Sequence, residues 1–99
     1  MSRIADRVYT DQFDIDRLEA TIRALDIGDR VSLLMEGGEV VQGIVAAKPS
    51  VQVFLDPAGR EGINAVVRIE EPALERPETA GWRDLWVDAI REVRHHNPP

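Results

Sequence analysis

Two runs of alternating apolar and polar residues, separated by the pair Gly37-Gly38, commit residues 31–47 to a β-hairpin. Val31, Leu33 and Met35 alternate with Ser32, Leu34 and Glu36 before the glycines. After them, Val41, Gly43, Val45 and Ala47 alternate with Val40, Gln42, Ile44 and Ala46. A two-residue Gly-Gly loop would set Glu36 against Glu39, and like charges directly across a ladder repel. An odd-numbered loop instead faces Met35 with Val41, Leu33 with Gly43 and Val31 with Val45, giving one continuous apolar face. Because a one-residue slip turns every side chain over, an odd loop is predicted. Gly43 stands inside the second strand, where glycine weakens pairing unless a bend or a close backbone approach requires it. A ribbon bent there suits a small curled barrel better than a flat sheet.

The flanking segments supply the rest of one small domain. A helix is predicted over 10–26, with Ile15, Leu18, Ile22 and Leu25 forming its apolar stripe. Thr10 or Asp11 can cap its start and Gly28 is placed just past its end. Leu34, Val40 and Ile44, on the second face of the hairpin, offer the stripe a partner. After a turn at Lys48-Pro49-Ser50, Val51, Val53 and Leu55 read as a third strand. Asp56-Pro57-Ala58-Gly59 has a type I turn signature, and Ile63, Ala65, Val67 and Ile69 form the inward face of a fourth strand. Residues 30–69 are thus predicted as a four-strand meander. Residues 70–81, rich in Pro and Glu, read as an exposed linker. In 82–94, Trp82, Leu85, Trp86, Ala89, Ile90 and Val93 fit a helical period, so periodicity alone favours an amphipathic helix there. Residues 95–99 read as a frayed tail.

Several chemistries find no support in this sequence. There is no cysteine among the 99 residues, hence no disulfide framework, thiol nucleophile or thiolate metal site. No apolar run approaches the roughly 20 residues of a membrane span, and Met1 to Arg7 carry no secretory h-region, so a cytoplasmic protein is expected. His95-His96 lack the third and fourth convergent ligands of a zinc site. Asp14/Asp16 and Glu70/Glu71 are read as a helix surface and a strand end rather than an acid/base pair, which needs a pKa-shifting pocket. Gly37-Gly38 has no P-loop context, and no serine and histidine are spaced as a nucleophile-base pair. The expectation is a non-enzyme without cofactor or metal. The formal charge of −6, with eleven arginines and one lysine spread singly, argues against a nucleic-acid surface.

A resemblance adds a scaffold. Val31-Ser32-Leu33, followed by Gly38, Val41, Gln42, Gly43 and Val45, resembles the first half of the Sm/LSm signature, in particular its bacterial Hfq-type form. Asp88-Ala89-Ile90 with Val93 resembles the short turn and final strand that close such barrels. Over most of its length the chain resembles a family of small, uncharacterised proteobacterial proteins with a variant Sm-like fold. The residues that carry this are Val8 to Asp11, Val51 to Phe54, Gly62 to Val67 and Trp86 to Ile90. The resemblance implies a mainly β domain with one N-terminal helix, built as a small five-stranded Sm-like/SH3-like antiparallel barrel whose open end the helix caps. It implies strand at Trp86-Val87, a turn at Asp88-Ala89 and strand from Ile90 to Arg94. That reading is preferred over the helix, because the barrel otherwise lacks its closing strand.

By the same resemblance, edge strands pair between copies, so a homo-oligomer, dimer or ring, is expected, with Trp82 and Trp86 as the self-association seam. A protein partner is the other expectation. RNA recognition does not carry over by residue: Lys48, Pro49 and Ser50 stand where Sm proteins place an aromatic and an Asp, and Val87 and Asp88 replace the Hfq-type Lys-His pair. Two function classes follow: a non-enzymatic Sm-like module acting through association, and a divergent RNA-binding Sm-like protein.

Overall fold

The computed structural model describes residues 3–71 and 81–96. One helix, α1 (Gln12–Arg23), precedes seven strands: β1 (Arg30–Met35), β2 (Val40–Ala47), β3 (Gln52–Leu55), β4 (Glu61–Asn64), β5 (Val66–Glu71), β6 (Gly81–Trp86) and β7 (Ile90–His95). A single 3₁₀ turn, Val87–Ala89, joins the last two. Asp11 caps α1, its side chain accepting a hydrogen bond from Phe13 N at 3.3 Å. The helix ends at Arg23, so Gly28 lies beyond its cap, in the turn where Asp29 N donates to the Asp26 carbonyl.

Five strands form an antiparallel sheet in the order β6-β5-β2-β1-β7. Among the described strands β3 and β4 pair only with each other, so the four-strand meander is interrupted by a separate hairpin. Ala65 divides the expected fourth strand into β4 and β5, which belong to different sheets. Among the described residues β6 and β7 do not pair with one another, and the expected closed barrel is an open five-stranded sheet.

The hairpin loop is odd, as like-charge repulsion requires. Met35 N donates to the Glu39 carbonyl, leaving three loop residues, and Leu33 faces Val41 while Val31 faces Gly43. This register lies one pair closer to the turn than Met35 against Val41 would be. The shift is by an even step, so the same side chains face inward. Gly43 answers a close approach: a Cβ there would lie 2.5 Å from both the Glu70 carbonyl oxygen and Ile69 Cγ2. The irregular pairing of β2 with β5 between Val45 and Ala47 adds to the curl.

The core gathers Leu18, Ile22 and Leu25 with Val31, Leu33, Val41, Val45, Val67 and Ile69. The helix therefore buries its apolar stripe against the sheet. Leu34 and Val40, proposed as its partners, stay exposed on the outer face. In β3 the inward residue is Phe54, while Val53 and, just before the strand, Val51 are exposed. Phe54 packs edge-on against Trp86, ring centroids 5.1 Å apart. Residues 72–80 of the expected linker lie outside the described residues; Glu70 and Glu71 belong to β5 and Gly81 opens β6. The closing segment is two strands and a 3₁₀ turn, not a helix. Of the expected tail, His95 ends β7 and His96 N donates to the Arg30 carbonyl; residues 97–99 lie outside the described residues. No helix among the described residues is long and apolar enough to cross a membrane.

Candidate functional site

The N-terminal segment crosses the β3–β4 hairpin as a strap. Leu55 N donates to the Arg3 carbonyl, Ala5 N to Leu55, and Tyr9 and Ile63 exchange two backbone bonds. Gly62 permits the crossing, since a Cβ there would lie 2.8 Å from Val8 Cβ. The strap thereby delivers Arg7 and Tyr9 to the 3₁₀ turn.

There they meet Asp88, whose side chain is 5% exposed. Asp88 Oδ2 accepts from Tyr9 Oη at 2.8 Å and lies 3.1 Å from Arg7 Nε. Asp88 Oδ1 accepts from Asn64 Nδ2 at 3.1 Å, and the same Asn64 nitrogen donates to the Arg7 carbonyl at 2.8 Å. Arg7 also reaches Glu36 Oε1 at 2.6 Å and holds that carboxyl below its usual range. A buried carboxylate is tolerated only when paired and hydrogen-bonded, and here each oxygen has a donor. Among the described residues no buried side-chain polar atom lacks a partner. Val87 is buried beside Asp88 in the core. The 3₁₀ turn is thus a latch holding the strap, with Val87 and the Asp88 side chain turned inward.

Burial and the neighbouring Asp88 carboxylate push the Tyr9 phenol up to about 12. Unfolded, the phenol titrates near about 10. The folded state thus binds this proton more tightly: its stabilisation is complete below pH about 10 and is lost as pH rises towards about 12. Tyr9 is the only tyrosine in the chain, so phenolate absorbance reads it directly. Half-ionisation near pH about 10 in the folded protein would contradict the latch.

The loop Lys48-Pro49-Ser50 is committed elsewhere. Lys48 Nζ donates to the carbonyls of Ile22 and Leu25 at 3.1 and 3.4 Å and to Asp26 at 2.7 Å, closing the C-terminal end of α1. This cation suits the negative end of the helix and holds the Asp26 carboxyl down. Pro49 is buried and Ser50 exposed. The loop borders a groove of about 280 Å³ with Arg3, Gln52, Arg68 and Asp84. Its cations are already engaged: Arg68 forms a two-pronged bond to Asp84 at 2.9 and 3.2 Å, and Arg3 donates to Gln52 and stacks on Phe54.

Trp82 and Trp86 lie on the same outer face of β6 but in different surroundings. Trp86 is half-buried under Phe54, whereas Trp82 is 65% exposed with Arg68 over its ring at 5.4 Å. Only Trp82 offers an open apolar surface at the sheet edge. Asp14 and Asp16 lie on α1 and Glu70 and Glu71 on β5, neither pair in a buried site. His95 bonds the Ala24 carbonyl at 2.7 Å, and His96 Nε2 lies 2.6 Å from Ser32 Oγ. Among the described residues no three His, Cys, Asp or Glu side chains converge as a metal site. Sequence reasoning missed Arg7, Tyr9 and Asn64. The one available signal was Asn64, a polar residue inside the apolar run from Ile63 to Val67.

With this geometry in view, residues 2–96 match a family described as a domain of unknown function (DUF3247). No curated protein matches. The chain is similar over 100% of both lengths to a crystal structure from Xanthomonas campestris described as adopting a novel variant of the Sm-like motif, at 34% identity and a TM-score of 0.81.

Proposed function

The chain belongs to the DUF3247 family, and on that premise we propose that it is a non-enzymatic Sm-like module of the bacterial cytoplasm that acts by associating with itself. The observation that carries this is the pair of sheet ends. Among the described residues β6 and β7 each pair with a neighbour on one side only, and such edges invite a further strand. Set antiparallel with matching faces, β6 of one copy and β7 of another place Asp84 opposite Arg94, Leu85 opposite Val93 and Trp82 opposite His96. Arg83, which then faces His95, keeps its own partners Glu39 and Glu71. Pairing β6 with a second β6 about its centre would set Asp84 against Asp84, which is unfavourable. Head-to-tail contact is therefore favoured, and such contacts close into rings when the rotation allows.

Light scattering tests this. The wild-type protein is expected to be a multimer and Arg94→Glu, which opposes Asp84 with like charge, a monomer. A monomeric wild type refutes the proposal. RNA binding is the alternative reading, supported by the groove beside Lys48. Against it stand the engaged cations and the charge of −6. Micromolar or tighter RNA affinity that falls steeply with salt would reverse that order.

A further inference from the structure

A half-open cavity of about 80 Å³ lies between α1 and the 3₁₀ turn. Asp14, Arg17, Leu18 and Thr21, spaced i, i+3, i+4 and i+7, form its helical wall, and buried Leu18, Val87 and Ile90 form an apolar floor. Two polar groups at its margin are already spoken for: the Tyr9 hydroxyl donates to Asp88, and Asp88 is neutralised by Arg7. The Thr21 hydroxyl donates to the Arg17 carbonyl at 3.2 Å, leaving its lone pairs open. The side chains of Asp14 and Arg17 make no ion pair or hydrogen bond, with each other or with any described residue. The cavity thus presents one anion and one cation, one helical turn apart, above an apolar base. Its volume is far below the roughly 300–1,000 Å³ of sites for drug-sized ligands, which excludes a nucleotide.

We infer that this cavity binds a small zwitterion with the chemistry of a short free α-amino acid. The carboxylate lies on Arg17, whose planar fork matches it, the ammonium lies on Asp14, and the side chain lies on Leu18, Val87 and Ile90. Neighbouring positions on a helix face hold their Cβ atoms about 5–6 Å apart, a span that the two adjacent charged groups of an amino acid bridge. A singly charged ligand leaves one of the two wall groups unpaired, and a long side chain does not fit the floor.

The test is a titration of the isotope-labelled full chain followed by backbone amide shifts, with alanine, acetate and methylammonium as separate probes. Alanine is expected to move the amides of residues 14–21 and 87–90 and to bind at least about tenfold tighter than either half-ligand. Arg17→Ala and Asp14→Asn are each expected to lose roughly tenfold or more, the weight of one charge-assisted bond. Both are surface changes on a helix, and circular dichroism verifies that the fold is kept. Arg94→Glu, which targets the sheet edges, leaves this binding unchanged, so the association proposal and this one fail separately. No response to alanine, a response no stronger than that to acetate or methylammonium, or affinity unaltered in either variant overturns the inference.

Discussion

Asp88→Ala lowers the unfolding free energy by about 3 kcal/mol, at the low end of the roughly 3–5 kcal/mol lost when one partner of a buried pair is removed. The carboxylate is the common acceptor for Tyr9, Asn64 and Arg7. Without it, the amide nitrogen of fully buried Asn64 keeps only the Arg7 carbonyl, while its Oδ1 still accepts from Ala65 N, and the Tyr9 hydroxyl loses its protein acceptor. A stranded buried donor, as on Asn64, costs about 1–3 kcal/mol, and Tyr9, which is only partly buried, adds less. Arg7 moderates the loss, because its side chain is 47% exposed and turns to water or to Glu36. For a domain of this size the change lowers Tm by more than about ten degrees. Urea titration measures it directly. Glu92→Ala is the control: its pair with Arg94 is exposed, and such a change stays within about 0.5 kcal/mol. An Asp88→Ala loss as small as the control would mean that water replaces the latch without cost.

Phe54→Ala costs about 3–5 kcal/mol, the usual range for deleting a buried ring, and the loss is uneven across the molecule. Phe54 is buried, and its edge-on contact with Trp86 joins the β3–β4 hairpin to the main sheet. No strand ladder makes that join: apart from the N-terminal strap, β3 and β4 pair only with each other among the described strands. Amide hydrogen exchange is therefore expected to accelerate across Gln52 to Asn64 while β1, β2 and β5 retain protection, as expected for a separately opening unit. Uniform acceleration over the whole sheet would show that the hairpin and the sheet open together.

The closing segment shows why one pattern misled. Leu85, Ile90 and Val93 reach the core from two strands, with the 3₁₀ turn resetting the alternation between them. Trp86 lies on the other face of β6 yet is also covered, by Phe54. Two strands joined by a three-residue turn thus reproduce the spacing of one amphipathic helix. The third strand misled differently: Val51 and Val53 have the apolar alternation of an inward face, but the strap and Trp86 take up the Phe54 side. In both places the face that becomes buried depends on what arrives from a distant part of the chain.

The amino-acid order by itself determined the central hairpin, its odd loop and the α1 stripe, because alternation, like-charge repulsion and helical period act between residues a few positions apart. Tertiary structure alone decided that Lys48 closes a helix, that Ser32 meets His96, and that Asp88 gathers Arg7, Tyr9 and Asn64. Local periodicity specifies which way a side chain points. Its partner, as many as 79 positions away between Tyr9 and Asp88, is set only when the strap, the hairpin and the closing turn pack together.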